Sequence, residues 1–462
     1  MTPFLINEFT IGDQNYHSFT LLDNGNIFST WQSYGQNGVQ NKEDIYACIY
    51  NINGEKIKNE FLVSDSFNVS DIDPKCTKLH NGNVLITWQR GYSAGPIIAK
   101  IYNPEGNLIK DEYIVNDTIY NSLAIGRSAV CLGLNNGNYI IAYSYYGTYD
   151  SIRVAIFNSL NQLIKSFKFN RNSVTDLRLS ELNNGKSVIV YDNYDQNGEG
   201  VFYRIFDTLS ISEEMQANIE FLDDQNEPDI LSLTNGDFII SWINDIFDST
   251  YTHLRIFNSN GVPISDEIKA KYEIGIFNTT RLVQHTDTKF LMIYSNADSW
   301  NGTKLYCKEL FLNGQTSIDD FPIFLFDKSF YGYEIQKFNN NFLFFSFESL
   351  DVSGIGIYGV AISSVLTSIE SENPINSYTL LQNYPNPFNP KTIINYTLSK
   401  SSPVQLIVYN ILGKTVEVLT DEFKINGNYS IVFDASNLPS GTYFYQLRTD
   451  EFIQSKKMLL IK

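Results

Sequence analysis

The sequence predicts an all-β protein, a seven-bladed β-propeller followed by a small β-sandwich. Three observations carry that prediction. Short runs of Ile, Val, Tyr and Phe are punctuated throughout by Asn, Gly and Thr, the texture of many hairpins. An Asn-Gly pair followed six residues later by an aromatic recurs about every fifty residues. Near residue 378 this period stops and a different pattern of short strands begins.

The period is read from seven anchors. Asn24-Gly25 precedes Trp31, Asn81-Gly82 precedes Trp88, and Asn136-Gly137 precedes Tyr143. Asn184-Gly185 with Tyr191 and Asn235-Gly236 with Trp242 continue the series. Asp287-Thr288 with Tyr294 and Asn340-Asn341 with Phe347 are degenerate copies. The intervals are 57, 55, 48, 51, 52 and 53 residues. Asn-Gly favours a type I′ hairpin turn, because both residues tolerate positive φ. Each anchor therefore joins two strands. A third strand such as IIAKIYN, a second turn such as Glu105-Gly106 and a fourth strand such as KDEYIVND complete the unit. Four strands per fifty residues is the signature of propeller blades.

The ends of the array fit a closed ring. The seventh unit runs from its third strand, IYGVAISSV, into polar TSIESENP without a fourth. Ahead of the first unit, INEFTIGD (residues 6–13) aligns with KNEFLVSD (residues 58–65), the fourth strand of the first blade. The N-terminal strand is thus expected to close the last blade and protect its edge. Residues 1–366 form the predicted propeller and residues 367–377 a linker. NEFLVSD, LHNGNVLITWQ and IYACIYNINGEKI also resemble a repeat of very large secreted bacterial surface proteins, which implies export and adhesin-like company rather than one enzyme activity.

The second domain, residues 378–462, has strand-like runs at TIINYTL, VQLIVYN, NYSIVFDAS, GTYFYQL and FIQSKKMLLIK. Leu406, Val408 and Ile411 alternate with more polar neighbours, and turns fall at Leu412-Gly413, Asn426-Gly427 and Leu438 to Gly441. Short strands with frequent turns in this length predict a small β-sandwich. LLQNYPNPFNPKTIINYTL, VYNILGKTVEVL, GNYSIVFDASNLPSGTYFYQL and KKMLLIK, in that order, resemble the type A C-terminal sorting domain of type IX secretion. That resemblance implies an immunoglobulin-like sandwich, passage through the periplasm to the cell surface or beyond, and the type IX translocon and sorting machinery as partners. It assigns the opening box to Tyr384, Pro385, Asn386, Pro387 and Phe388, and the central turn to Gly413 and Lys414. The final box falls on Gly441, Tyr443, Tyr445, Lys456, Lys457 and Lys462. MTPFLINEFT has neither a basic n-region nor an apolar h-region, so export requires a signal peptide that was removed or lies upstream of Met1.

Composition bounds the function. A hydrophobic share of 43%, with 30 Tyr and 32 Phe, excludes a disordered chain. The net charge of −18 counts against nucleic-acid partners, which need clustered Lys and Arg. Residues 378–462 hold 8 basic and 6 acidic side chains, so the acidity sits in the first module. No run of eighteen apolar residues predicts a transmembrane helix. The four cysteines, Cys48, Cys76, Cys131 and Cys307, fit no metal spacing and read as isolated buried thiols.

Catalytic motifs are not found. The four histidines, His17, His80, His253 and His285, have no metal-spaced partner; two of them sit beside hairpin turns, where a histidine reads as solvated. The sialidase S-x-D-x-G-x-x-W box is absent. Residues expected around the channel lie where the first strand of each blade begins: Asp73, Arg127, Asp176, Arg178, Glu227, Asp229, Arg281 and Glu334. That mixed ring suits a sugar or an acid, or simply an ion-paired, water-filled funnel. The sequence therefore predicts a secreted or cell-surface binding, adhesion or scaffold propeller with carbohydrate or surface protein as ligand. A polysaccharide hydrolase using the channel carboxylates is the alternative. Asn193, Asp195 and Asn197 resemble the start of a calcium loop, but Arg204 stands at its twelfth position, and a surface turn competes. No other cofactor is called for.

Overall fold

The computed structural model describes residues 3–38, 42–65, 69–92, 95–115, 125–146, 151–170, 176–195, 198–219, 224–246, 249–273, 279–298, 302–325, 330–339, 342–351, 354–363, 378–383, 385–398, 402–424, 427–450 and 452–461, with some strand-end side chains, Arg127 among them, outside the description. The predicted linker 367–377 lies outside these residues. The chain divides into two compact units, Met1–Thr367 and Ser368–Lys462.

The first unit is a seven-bladed propeller. Among the described residues it holds seven four-stranded antiparallel sheets. Their innermost strands are Gln14–Leu21, Asp71–Lys78, Ile125–Gly133, Leu177–Glu181, Asp224–Ser232, Thr280–Thr286 and Phe330–Lys337. Each packs beside the next, and Phe330–Lys337 packs beside Gln14–Leu21, so the ring closes. The seven periodic aromatics explain how the sheets stay together. Trp31, Trp88, Tyr143, Tyr191, Trp242, Tyr294 and Phe347 are all buried. Each sits in a separate apolar core with residues of the preceding blade, as Trp88 does with Phe28, Ile45 and Val63.

The Asn-Gly turns differ in type from the expectation. At Leu22–Asn26 the Gly25 N–H donates to Leu22 O and the Leu22 N–H to Asn26 O. Only Gly25, at φ 80°, carries positive φ; Asn24 instead accepts the Asn26 N–H through its side chain. This is a three-residue loop with a glycine bulge rather than type I′. Asn contributes its side-chain acceptor, so the pair marks the turn for a different reason.

The N-terminal strand closes the last blade, but five residues earlier than the sequence alignment places it. Phe4–Leu5 pairs with Ile355–Ser363 through Phe4↔Gly359 and Leu5↔Tyr358. In the first blade Phe61↔Ala47 and Leu62↔Tyr46 play these parts. Phe4-Leu5-Ile6-Asn7 therefore stands where Phe61-Leu62-Val63-Ser64 stands, and Asn-Glu-Phe at 7–9 is not a strand. The feature that matters is an apolar run ended by a capping side chain. Asn7 Oδ1 accepts the Ile357 N–H at 2.7 Å, as Ser64 Oγ accepts that of Ile45 and Asn218 Oδ1 that of Val201. Asn7 Nδ2 also donates to Gln14 of the next blade, and Asn218 Nδ2 to Gln225 in the same way. Gly54, at φ 85°, admits the Phe4 ring, which a Cβ there would meet at 2.5 Å.

The second unit is a sandwich of two sheets. Thr379–Leu380, Lys391–Leu398 and Gly427–Asp434 form one; Thr415–Lys424, Ser402–Asn410, Gly441–Arg448 and Ile453–Leu460 form the other. Their inner faces share a core that includes Ile394, Leu406, Val408, Phe433, Tyr445 and Met458. Ile411 does not continue the alternation; it is exposed in the turn. The edge strand Thr415–Lys424 has no counterpart among the strands expected from sequence, because its apolar residues do not alternate: Val418 and Leu419 stand side by side at a register slip.

Asn7→Ala should lower the stability of the propeller by about 1–3 kcal/mol, since it strands the buried Ile357 N–H. Urea unfolding followed by tryptophan fluorescence reads this directly, because all 4 Trp lie before residue 301.

Candidate functional site

A cavity of about 530 Å³ lies at the start of the innermost strands. One register position builds its floor. In each blade the residue opposite the one that precedes the core aromatic is Ser18, Lys75, Val130, Arg178, Asp229, Arg281 or Glu334. Five of these line the cavity, all but Ser18 and Asp229. Two residues earlier along the same strands come Tyr16, Asp73, Asp176, Glu227 and Gly332, which also line it.

Bulges aim the second set. Pairing slips between Asn15/Ser18, Ile72/Lys75, Arg127/Val130, Asn226/Asp229 and Phe330/Tyr333. At three of these slips a non-glycine residue holds left-handed φ: Tyr16 at 52°, Asp73 at 51° and Glu227 at 51°. Each costs of order 1–3 kcal/mol, and bulges re-aim side chains near functional sites. Pro74 and Pro228 follow two of them, where the interrupted ladder needs no N–H.

The charges are interleaved and incompletely paired. Lys75 Nζ meets Asp73 Oδ1 at 2.8 Å. Arg178 Nε stands 3.8 Å from Asp229 Oδ1, and Arg281 Nη2 stands 3.8 Å from Glu334 Oε1, both beyond hydrogen-bond reach. The two guanidinium groups donate instead to the carbonyls of Leu177 and Thr280. Asp229 Oδ2 accepts the Leu282 N–H at 2.8 Å. Burial pushes the Glu334 carboxyl up, but Arg281, Arg178 and Lys75 outweigh it and hold it below the usual carboxylate range. Burial raises Asp229 despite Arg281 and Arg178. Burial and the neighbouring Asp176 raise Glu227, against the pull of Arg281 and Arg178. The Glu227 carboxyl makes no hydrogen bond to any described residue.

The structure thus brings Asp73, Asp176, Arg178, Glu227, Arg281 and Glu334 to one cavity, with Asp229 buried behind Arg178. Arg127 precedes the third bulge, and its side chain lies outside the described residues. Sequence reasoning missed Lys75, Tyr16, His17 and Glu348, which also line the cavity. A signal for the floor exists in the chain: each floor residue stands thirteen positions before its blade's aromatic.

The solvated reading of a turn-side histidine is overturned at His285, and His17 and His253 are paired as well. His17 Nδ1 lies 2.9 Å from Glu348 Oε1, and its Nε2 lies 2.8 Å from Ser346 Oγ, tying the last blade to the first. His253 pairs with Glu267, and His285 lies 2.7 Å from Glu309. His80 is exposed. Of the calcium candidates, Asn193 is buried in its sheet opposite Gly200, and the Asp195 N–H closes a turn onto Gly198 O. Asn197 lies outside the described residues, and among those described no three His, Cys, Asp or Glu are grouped to hold a metal.

In the second unit the opening box is stitched to the final one. Phe388 is buried in the core; its N–H donates to Leu459 O and its carbonyl accepts from Ile461. Asn386, which precedes a cis peptide to Pro387, accepts the Leu459 N–H at 2.8 Å. The Pro385 carbonyl accepts from Thr392 Oγ1. Tyr445 Oη donates to Leu381 O and accepts the Asn383 N–H, while Tyr443 Oη donates to Pro439 O. Gly413, at φ 75°, makes the turn before Lys414, with Asn410 Oδ1 accepting from Leu412 and Lys414. Gly441 opens the strand Gly441–Arg448, Lys456 and Lys457 stand on the last strand, and Tyr384 and Lys462 lie outside the described residues.

Residues 382–462 match the secretion system C-terminal sorting domain. This unit is a type IX sorting domain. It marks the chain for the cell surface or the medium, and no helix among the described residues is long and apolar enough to cross a membrane. No curated protein matches the sequence. Among solved structures, an ulvan lyase of polysaccharide lyase family PL25 is similar at 12% identity and TM-score 0.52, over 78% of this chain and 94% of its own. A fungal alcohol oxidase of the AA5 family is similar at 10% identity and TM-score 0.50, over 98% of both chains. PorZ, a surface component of type IX secretion in Porphyromonas gingivalis, is similar at 12% identity and TM-score 0.46, over 98% of this chain and 60% of its own. At such identities the likeness is one of fold alone.

The two carboxyls with opposite shifts give opposite pH signatures. Glu227 binds its proton more tightly folded than unfolded, so that stabilisation is present at low pH and lost as pH rises through its raised pKa. Glu334 behaves inversely, stabilising above the ordinary carboxylate range and losing this as pH falls through its depressed pKa. Glu227→Gln should therefore raise Tm at about pH 7 and Glu334→Gln should lower it, the first difference shrinking toward about pH 4 and the second persisting there and fading only below it. Thermal melts at the two pH values check both signs.

Proposed function

We propose that the chain is an exported propeller that binds glycan in its channel cavity. The observation that carries this reading is the cavity floor, where the donors Lys75, Arg178 and Arg281 and the acceptor Glu334 stand around one register with the Asp73, Asp176 and Glu227 carboxyls beside them. A ligand rich in hydroxyls suits such a ring, since each hydroxyl both donates to a carboxylate and accepts from a guanidinium. The imperfect 3.8 Å pairs leave those partners available without stranding a bare charge. Tyr16, 55% exposed at the rim, adds an aromatic face for a sugar ring. The ulvan lyase noted above acts on a polysaccharide, so the architecture is compatible with such ligands. Export by the sorting domain delivers the cavity to where glycans are met.

A glycan array probed with the full chain tests the reading. Binding to a defined set of glycans is expected, weakened about tenfold or more by Arg178→Met or Glu334→Gln. Binding that both variants leave intact, in proteins shown to be folded, would place the ligand elsewhere.

A further inference from the structure

We propose that the cavity also hydrolyses the glycan it holds, with Glu227 as the proton donor and Asp176 as its partner carboxylate. The inference rests on the glycan-binding reading above. Four observations converge on Glu227. Its carboxyl lines the cavity yet makes no hydrogen bond to any described residue. Its backbone is held left-handed at φ 51° within a bulge, ahead of Pro228. Asp176 occupies the corresponding position two residues before the floor in the adjacent blade and lines the same cavity. Finally, Glu227 holds its proton above the usual carboxylate range, through burial and then Asp176.

A carboxyl that only supported the fold would gain from a hydrogen bond and from relaxed backbone; among the described residues Glu227 finds no such bond, and its backbone is left-handed. Paired carboxyls in unlike environments are what glycoside hydrolysis requires, one carrying the proton and one ionised. Among the described residues, the charged groups that act most strongly on Glu227 are Asp176 and Asp192 on one side of the charge balance and Arg281 and Arg178 on the other. Asp176 is itself positioned by its N–H, which donates to Asp192 Oδ1 at 3.0 Å.

The step balances without an outside oxidant or reductant. The bond from the anomeric carbon to the glycosidic oxygen breaks as that oxygen takes the proton of Glu227. Water adds to the anomeric carbon and gives its proton to the Asp176 carboxylate. Proton exchange with solvent restores both groups, and the net change is one glycosidic bond and one water for two hydroxyls.

The full chain is tested on the glycan that the array selects and on 2,4-dinitrophenyl glycosides of the same sugars. Wild type should release reducing ends from the glycan, at a rate that falls as pH rises through the raised pKa of Glu227. Glu227→Gln should cut that release by about 10²-fold or more while still binding the glycan. It should retain turnover of the dinitrophenyl glycoside, whose leaving group needs no proton. Asp176→Asn should depress both substrates. Binding without any reducing-end release overturns the inference and leaves the binding reading standing. Glu227→Gln that matches wild type, or that loses both substrates equally, overturns the assignment of the proton. A chain that binds no glycan overturns both readings together.

Discussion

The contact on which the propeller depends is a single aromatic side chain per blade, carried by the second strand and driven into the core shared with the blade before it. Trp31, Trp88, Tyr143, Tyr191, Trp242, Tyr294 and Phe347 are 0–3% exposed, and each occupies a different inter-blade core. Removing such a residue from a packed core costs about 3–5 kcal/mol. Each aromatic is the recurring member of an inter-blade core that it shares with other buried side chains, and it marks the register of the strand beside it. The last core, around Trp31, depends in addition on Ile6 from the N-terminal segment.

The same wedge fixes the site. The residue opposite the aromatic's predecessor holds the same register on the innermost strand in all seven blades, and in five of them it lines the cavity. Five of those positions are charged, and bulges then add Tyr16, Asp73 and Glu227 above them. A chain that spends left-handed backbone at three places around one cavity, with no glycine to ease it, has kept those side chains there against a conformational cost.

Much of this is legible in the sequence. The period reveals the blades because a turn and a buried aromatic recur at fixed spacing, and six of the eight channel candidates do share a cavity. Lys75 escapes a search for charge near strand starts, whereas counting thirteen positions back from Trp88 finds it at once. Glu348 and His17 are illegible for a deeper reason: they meet across the closure of the ring, 331 residues apart in sequence. The closing strand misaligns because Asn-Glu-Phe matches in letters, while the chain uses Phe-Leu-Ile and a capping Asn7, a pattern of burial and hydrogen bonding. The NYPNPFNP box, Asn383 to Pro390, is no linker despite its prolines. Phe388 enters the sandwich core and its backbone pairs with the last strand, so both ends of the sorting domain are held at one place.

An acidic propeller with a charged, strained cavity is joined to a sorting domain that sends it out of the cell: the second unit supplies the destination, and on the reading proposed here the first supplies the contact made there. The most direct test of that claim is a crystal structure of the full chain with a bound glycan. The account predicts sugar hydroxyls within hydrogen-bond distance of Arg178, Arg281 and Glu227. Density for the sugar on the outer strands, with the cavity holding only water, would contradict it.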